Sequence, residues 1–253
     1  MANVNNYRLG LVSVSFRKNT PEEILEAMRD AKLSCVEWGS DVHAPCNDKE
    51  NIARIVELQR AYGIKCSSYG TYFKLGATPI GELADYIEAA KLLGTDVLRL
   101  WCGVKSGAEY STEEKNALFA DARTATEMAE REGVILCMEC HRNSFTERVE
   151  DTLELMREIN SPSFRMYWQP FQWRSVEEDI EYAKKIEAYT ENIHVFNWEG
   201  DGRFPLIEAK EEWQSYLGCF SHPRTLLLEF MPDGKIETLK READALRKIA
   251  GGM

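Results

Sequence analysis

The feature that most constrains this 253-residue chain is a unit that recurs along it. Each unit is a short apolar run, a polar loop, an amphipathic helix and a glycine, after which the next apolar run begins. The runs fall near 9–15, 35–38, 65–69, 97–101, 134–139, 165–169, 192–196 and 225–230. Short apolar runs bounded by turn residues read as strands covered on both faces, the habit of a parallel sheet. The helices between them announce their starts. Thr20-Pro21 with Glu23 joins an N-cap, a proline at the first helical position and a capping-box glutamate. Asn47 with Glu50, Ser111 with Glu114, Ser144 with Glu147 and Ser175 with Glu178 repeat that spacing, and Thr78-Pro79 marks another start. Gly63, Gly94 and Gly133 stand where helices stop ahead of the next apolar run.

Eight strands alternating with eight helices use about 32 residues per unit, the usual allowance in a barrel of this size. The chain therefore reads as α/β, a single (β/α)8 TIM barrel spanning 1–253, with no Pro/Gly/Ser-rich linker to divide it. An open doubly wound sheet normally has fewer strands, and no G-x-G-x-x-G turn is present for a dinucleotide. With 44% hydrophobic and 29% charged residues, the chain can bury a sizeable core, which rules out low-complexity disorder. No apolar run reaches the ~18 residues of a membrane helix. A net charge of −11 and a pI near 5.0 argue against a nucleic-acid partner, since phosphate contacts need a basic surface. The opening Met-Ala-Asn-Val-Asn-Asn lacks the regions of a signal peptide, so a cytoplasmic location is expected. Seven cysteines, odd in number and irregularly spaced, then read as reduced thiols. Cys137 and Cys140 form a C-x-x-C string, but residues three apart on a strand point to opposite faces, which argues against a shared metal or a redox pair.

In a barrel of this type the chemistry gathers at the C-terminal strand ends. The second run ends in Glu37, with Asp41 and His43 beyond it. The third ends in Ser67, Ser68 and Tyr69, and the fourth carries Arg99 and Trp101. Glu139 closes the fifth, Gln169 the sixth and Glu229 the eighth, while His194 lies in the seventh. A carboxylate at the end of an apolar strand is costly to desolvate. Glu139 in Leu-Cys-Met-Glu-Cys, Glu229 in Leu-Leu-Leu-Glu-Phe and His194 in Asn-Ile-His-Val-Phe make a converging set. A divalent cation would offset the buried charge, and oxygen ligands with one imidazole suit Mn, Mg, Co or Zn.

Val36-Glu37-Trp38, Met138-Glu139-Cys140-His141, Ile193-His194-Val195-Phe196-Asn197 and Leu228-Glu229-Phe230, in this order around eight strands, resemble the xylose isomerase-like TIM-barrel superfamily. This is the sugar phosphate isomerase/epimerase family, and endonuclease IV shares its fold. The resemblance spans essentially the whole chain. It implies metal ligands at Glu139, Gln169, His194 and Glu229. At the sixth strand, Tyr167-Trp168-Gln169-Pro170 has a neutral amide where the family usually has a carboxylate, and Gln172 falls where a histidine often follows.

The resemblance further implies a divalent-metal-dependent sugar isomerase or epimerase that abstracts a proton next to a carbonyl through an enediolate. Glu139 and Glu229 would be the catalytic acid/base pair. His141, Arg203, His43, Trp101 and Gln172 would bind substrate, with Trp38, Tyr72, Trp168 and Trp198 as further walls. Two alternatives use the same scaffold: a non-catalytic, degenerate sugar-binding member, or a related polyol dehydratase or keto-acid isomerase. DNA repair of the endonuclease IV kind needs a histidine-rich trinuclear zinc site, and this chain has four histidines. The expected partners are a small sugar and a second copy of the chain in a homodimer or homotetramer, with neither nucleic acid nor membrane.

Overall fold

The computed structural model describes residues 7–251. Eight parallel strands close into a barrel: β1 (Arg8–Val12), β2 (Cys35–Gly39), β3 (Lys65–Leu75), β4 (Val97–Cys102), β5 (Ile135–Glu139), β6 (Phe164–Trp168), β7 (Thr190–Val195) and β8 (Thr225–Leu228). Each strand pairs with its neighbour in sequence. The ring closes where β1 meets β8, with Leu11 opposite Leu228. The helices alternate with the strands: α1 (Pro21–Asp30), α2 (Lys49–Tyr62), α3 (Leu83–Leu93), α4 (Thr112–Glu132), α5 (Val149–Ile159), α6 (Val176–Ile186), α7 (Lys210–Leu217) and α8 (Leu239–Ala250). The protein is a single-domain TIM barrel, as the repeating unit predicts. Among the described residues, no helix is long and apolar enough to cross a membrane.

Local chemistry accounts for most of the helix boundaries. Thr20, Ser111 and Ser175 each form a reciprocal capping box with the glutamate three residues on. Such caps contribute roughly 1 kcal/mol apiece by satisfying backbone N–H groups that lack an intrahelical partner. Gly133 ends α4 at φ +68°, a left-handed conformation that side chains beyond glycine resist.

Three expected starts differ. Asp48, not Asn47, caps α2, its carboxylate accepting from the Asn51 N–H. Ser144 opens only a 3₁₀ turn, its hydroxyl donating to the His141 carbonyl, so α5 begins later at Val149. Thr78 accepts the Lys74 N–H instead of capping α3, which starts at Leu83. In each case a nearer backbone or side-chain partner competes successfully for the cap.

Strand alternation divides the core in two. Outward residues such as Val36, Trp38, Met138, Trp168 and Val195 join the large layer between barrel and helices. Trp168 packs edge-on against Trp213 and Tyr216 there. Inward residues Val12, Cys35, Val97, Cys137, Tyr167 and Leu227 make a small separate cluster that plugs the barrel. Cys137 belongs to the inner cluster and Cys140 to the outer one, so the C-x-x-C thiols do point apart. All seven cysteines are free.

Candidate active site

The inward positions above the apolar plug are charged. Glu37 on β2, Arg99 on β4, Glu139 on β5 and His194 on β7 occupy them, together with Gln169 and Glu229 just past β6 and β8. None is more than 8% exposed. Removing an ion from water costs several kcal/mol, so such a group persists only if its members satisfy one another.

Arg99 does much of that work. Its Nε donates to Glu37 Oε1 at 2.8 Å, and its Nη1 donates to Glu139 Oε2. Trp101 Nε1 donates to that same Glu139 oxygen at 2.6 Å, and Ser68 Oγ donates to Glu37 Oε2 at 2.9 Å. Backbone composition makes room for the pair. A Cβ on Gly70 of β3 would stand 2.5 Å from Glu37 Oε1 and 2.8 Å from Arg99 Nη2.

His194 sits at the centre, fully buried, with the Tyr167 ring edge-on 5.1 Å away. Its Nδ1 lies 2.9 Å from Gln169 Oε1, 3.5 Å from Glu139 Oε1 and 3.6 Å from Glu229 Oε2. Among the described residues its Nε2 has no hydrogen-bond partner, and Glu37 Oε1 is 3.6 Å from it.

These neighbours set the proton affinities. Burial alone would raise Glu37, but Arg99 and His194 outweigh it and hold the carboxyl at about 2. Burial is likewise overcome at Glu139, where Arg99 and then His194 pull the carboxyl well below the usual range. Glu229 goes the other way: burial pushes it up, and the Glu139 carboxylate adds to the push against the opposing pull of His194. Burial would lower His194, yet Glu229, Glu139 and Glu37 together raise it to about 10.

One ligand atom from each of Glu139, His194 and Glu229 lies within 4.8 Å of the others, so this buried group could hold a metal ion. A hard divalent cation bound at about 2.1 Å keeps its oxygen and nitrogen donors roughly 3–4 Å apart. The spacings around His194 Nδ1 fit that requirement, and the Gln169 amide oxygen is a fourth, neutral donor on the same side.

The residues expected to touch substrate divide. Trp101 and His141 are joined to the group: their rings stack with centroids 4.3 Å apart, above the indole N–H that holds Glu139. Arg203 lies on a two-residue ribbon after β7, its guanidinium 4.7 Å from the Trp198 ring and 4.6 Å from that of Phe230. Phe230 follows Glu229 directly and has φ +50°, an uncommon conformation for a bulky residue, fixed by a 2.8 Å bond from its N–H to Ser15 Oγ. Gln172 lines a separate cavity of about 330 Å³ between the loops after β6 and β7, which none of the charged group lines.

His43 is not brought in. Its Nδ1 is 3.1 Å from Ser13 Oγ and its Nε2 is 3.2 Å from the Asn19 carbonyl, so both nitrogens serve the β1 and β2 loops. Trp38 and Trp168 are fully buried on the outer face of the barrel and offer no wall to a ligand.

Sequence reasoning placed Glu37 and Arg99 at strand ends but did not join them to Glu139 and His194. The available signal was phase. Cys-Val-Glu-Trp and Val-Leu-Arg-Leu-Trp put opposite charges at inward positions of apolar strands, where each needs the other.

Comparison with known proteins agrees with this architecture. A family model described as xylose isomerase-like TIM barrel matches residues 25–212. A 3-dehydroshikimate dehydratase from Bacillus anthracis is 22% identical over 104 residues, a match spanning 41% of this chain and 37% of that protein. The crystal structure of a probable 3-DHS dehydratase involved in petrobactin synthesis, also from Bacillus anthracis, superposes with a TM-score of 0.81 at 17% identity, covering 94% of this chain and 98% of the other. An L-ribulose 3-epimerase structure gives a TM-score of 0.72 at 13% identity over 98% of this chain and 95% of its own. At these identities the superpositions establish the fold, and the match of the family model over most of the sequence shows that the chain belongs to the xylose isomerase-like TIM-barrel family.

Proposed function

We propose that the protein is an enzyme that removes a proton from the carbon next to a carbonyl in a small polyhydroxylated substrate. A divalent cation would reside at Glu139, Gln169, His194 and Glu229. One observation carries this reading: two carboxylates, an imidazole and an amide converge above an apolar plug at the C-terminal mouth of the barrel. When bound, the cation supplies Lewis acidity that makes the C–H beside the carbonyl more acidic.

The protein's own groups then divide the work. Among the described residues, no side-chain or backbone donor bonds to the Glu229 carboxylate, and its raised proton affinity suits a general base. It takes the proton, and the C–H electron pair passes toward the carbonyl oxygen to give an enediolate. Glu139 is held by Arg99 and Trp101 and stays ionised, presenting Oε1 to the site. Arg203, His141 and Trp101 form the adjoining wall for substrate hydroxyls. Delivery of a proton from water to the other face of the carbon, with Glu229 releasing the one it took to solvent, would make the reaction an epimerisation, in line with the likeness to an L-ribulose 3-epimerase.

A dehydration is the second reading. A specific asymmetry favours it, since one carboxylate is clamped by two N–H donors and the other by none, and a dehydration needs only one mobile base. The likeness to 3-dehydroshikimate dehydratases points the same way. The deciding experiment incubates the Mn²⁺-loaded protein in D₂O with a panel of ketoses and with 3-dehydroshikimate. Deuterium entering a ketose C–H position with a new epimer supports the first reading. Loss of water, followed by ultraviolet absorption of a conjugated acid, supports the second. Cation binding with neither exchange nor dehydration across the panel argues for a ligand-binding role.

A further inference from the structure

His194 offers two nitrogens, and only one can serve a cation. Nδ1 faces Gln169, Glu139 and Glu229, whereas Nε2 faces Glu37. A cation takes the lone pair of a neutral imidazole nitrogen, so the ring proton must sit on the other one. We infer that Glu37 is a positioning residue: its carboxylate keeps the His194 proton on Nε2 and so presents the Nδ1 lone pair to the cation. This inference rests on the metal-dependent reading above.

Three observations support it. First, Glu37 is wholly buried and is held by Ser68 and Arg99, so it cannot itself reach a substrate. A Cβ at Gly70 would collide with both members of the Glu37–Arg99 pair, so the wall of the barrel is shaped around them. Second, Nε2 is a buried polar atom without a hydrogen-bond partner among the described residues, and such atoms are rare enough to need an account. The charged acceptor beside it is Glu37 Oε1, 3.6 Å away. Third, the nearest acceptor on the Nδ1 side is the amide oxygen of Gln169, which is neutral. A charged acceptor holds a proton more strongly than a neutral one, so an amide at this position competes less with Glu37 than a carboxylate would. A carboxylate behind a ligating histidine also makes the metal-facing nitrogen a better donor.

The test uses the full chain, stripped with chelator and then loaded with Mn²⁺ for calorimetry or with Zn²⁺ for nitrogen-15 NMR of its four histidines. The Zn²⁺-loaded wild-type protein should show His194 protonated at Nε2. Glu37→Met should weaken Mn²⁺ binding about 10–100-fold and abolish that tautomer signature. Glu37→Gln retains an acceptor and should recover most of the affinity. If Glu37→Met alone does not fold, because Arg99 has lost a partner, Glu37→Met with Arg99→Met removes the pair together and should show the same loss. Unchanged affinity in whichever of these variants folds would overturn the inference, as would a proton on Nδ1 in the loaded protein or a Glu37→Gln variant no tighter than Glu37→Met. Wild-type protein that binds no divalent cation would instead overturn the metal-dependent reading itself.

Discussion

The β2–β5 side of the barrel mouth and its β6–β8 side hold similar residue types in opposite states. On the first side Glu37 and Glu139 share Arg99, with Ser68 and Trp101 filling further lone pairs. On the second, Gln169, His194 and Glu229 converge with few partners of their own, and among the described residues no donor bonds to the Glu229 carboxylate. The proton affinities follow the pairing, with Glu37 and Glu139 pulled down and Glu229 pushed up. Depth is similar throughout, so burial alone does not separate a carboxyl of low proton affinity from one of raised affinity. What separates them is whether a fixed cation lies within hydrogen-bond reach.

The largest expected effect tests the open side. Glu229→Gln should lower turnover by about 10²–10⁴-fold. It should lower the thermal midpoint of the metal-free protein far less than loss of Arg99 does, because Glu229 gives up its attraction to His194 but no hydrogen bond. Isotope exchange and a melting curve on one preparation check both halves of that claim, and a large drop in melting temperature would blur the distinction between the two sides.

Breaking the clamped side should act on stability first. Arg99→Met leaves two buried carboxylates without their cation and should cost about 3–5 kcal/mol in urea unfolding. The Glu37→Gln variant sharpens this through pH. The Glu37 carboxyl titrates at about 2 in the folded protein against 4.5 ordinarily, so its contribution is fully present above about pH 4.5 and is lost as the pH falls towards 2. That contribution is on the order of 3 kcal/mol at neutral pH. The stability gap between wild type and Glu37→Gln should therefore close across that acidic window, and a gap independent of pH would refute the ion-pair account.

The smallest change returns to the open side. Gln169→Asp adds a charged oxygen beside His194 Nδ1 and should tighten Mn²⁺ binding severalfold, since ligand charge sets affinity for hard cations. Calorimetry on the pair decides it, and unchanged affinity would mean that position 169 does not face the ion.

Much of this was legible before any coordinates. The capping boxes at Thr20, Ser111 and Ser175 and the rhythm of apolar runs follow from interactions spanning a few residues. The convergence of Glu139, His194 and Glu229 followed from their strand-end positions. Less legible was anything that depended on contacts between strands. His43 has the same residue type and strand-end setting as a ligand, but Ser13 and Asn19 claim its ring. Trp38 and Trp168 differ from Trp101 only in strand phase, which sends them outward to the helices.

The sequence by itself determined the barrel and the set of polar side chains delivered to its mouth, because strand period, helix caps and turn residues are local properties. The tertiary structure decided which of those side chains pair. The bond from Arg99 to Glu37 joins residues 62 positions apart, and that to Glu139 joins residues 40 apart. Such partners meet only when the barrel closes, and their meeting fixes the charge on each group in the site.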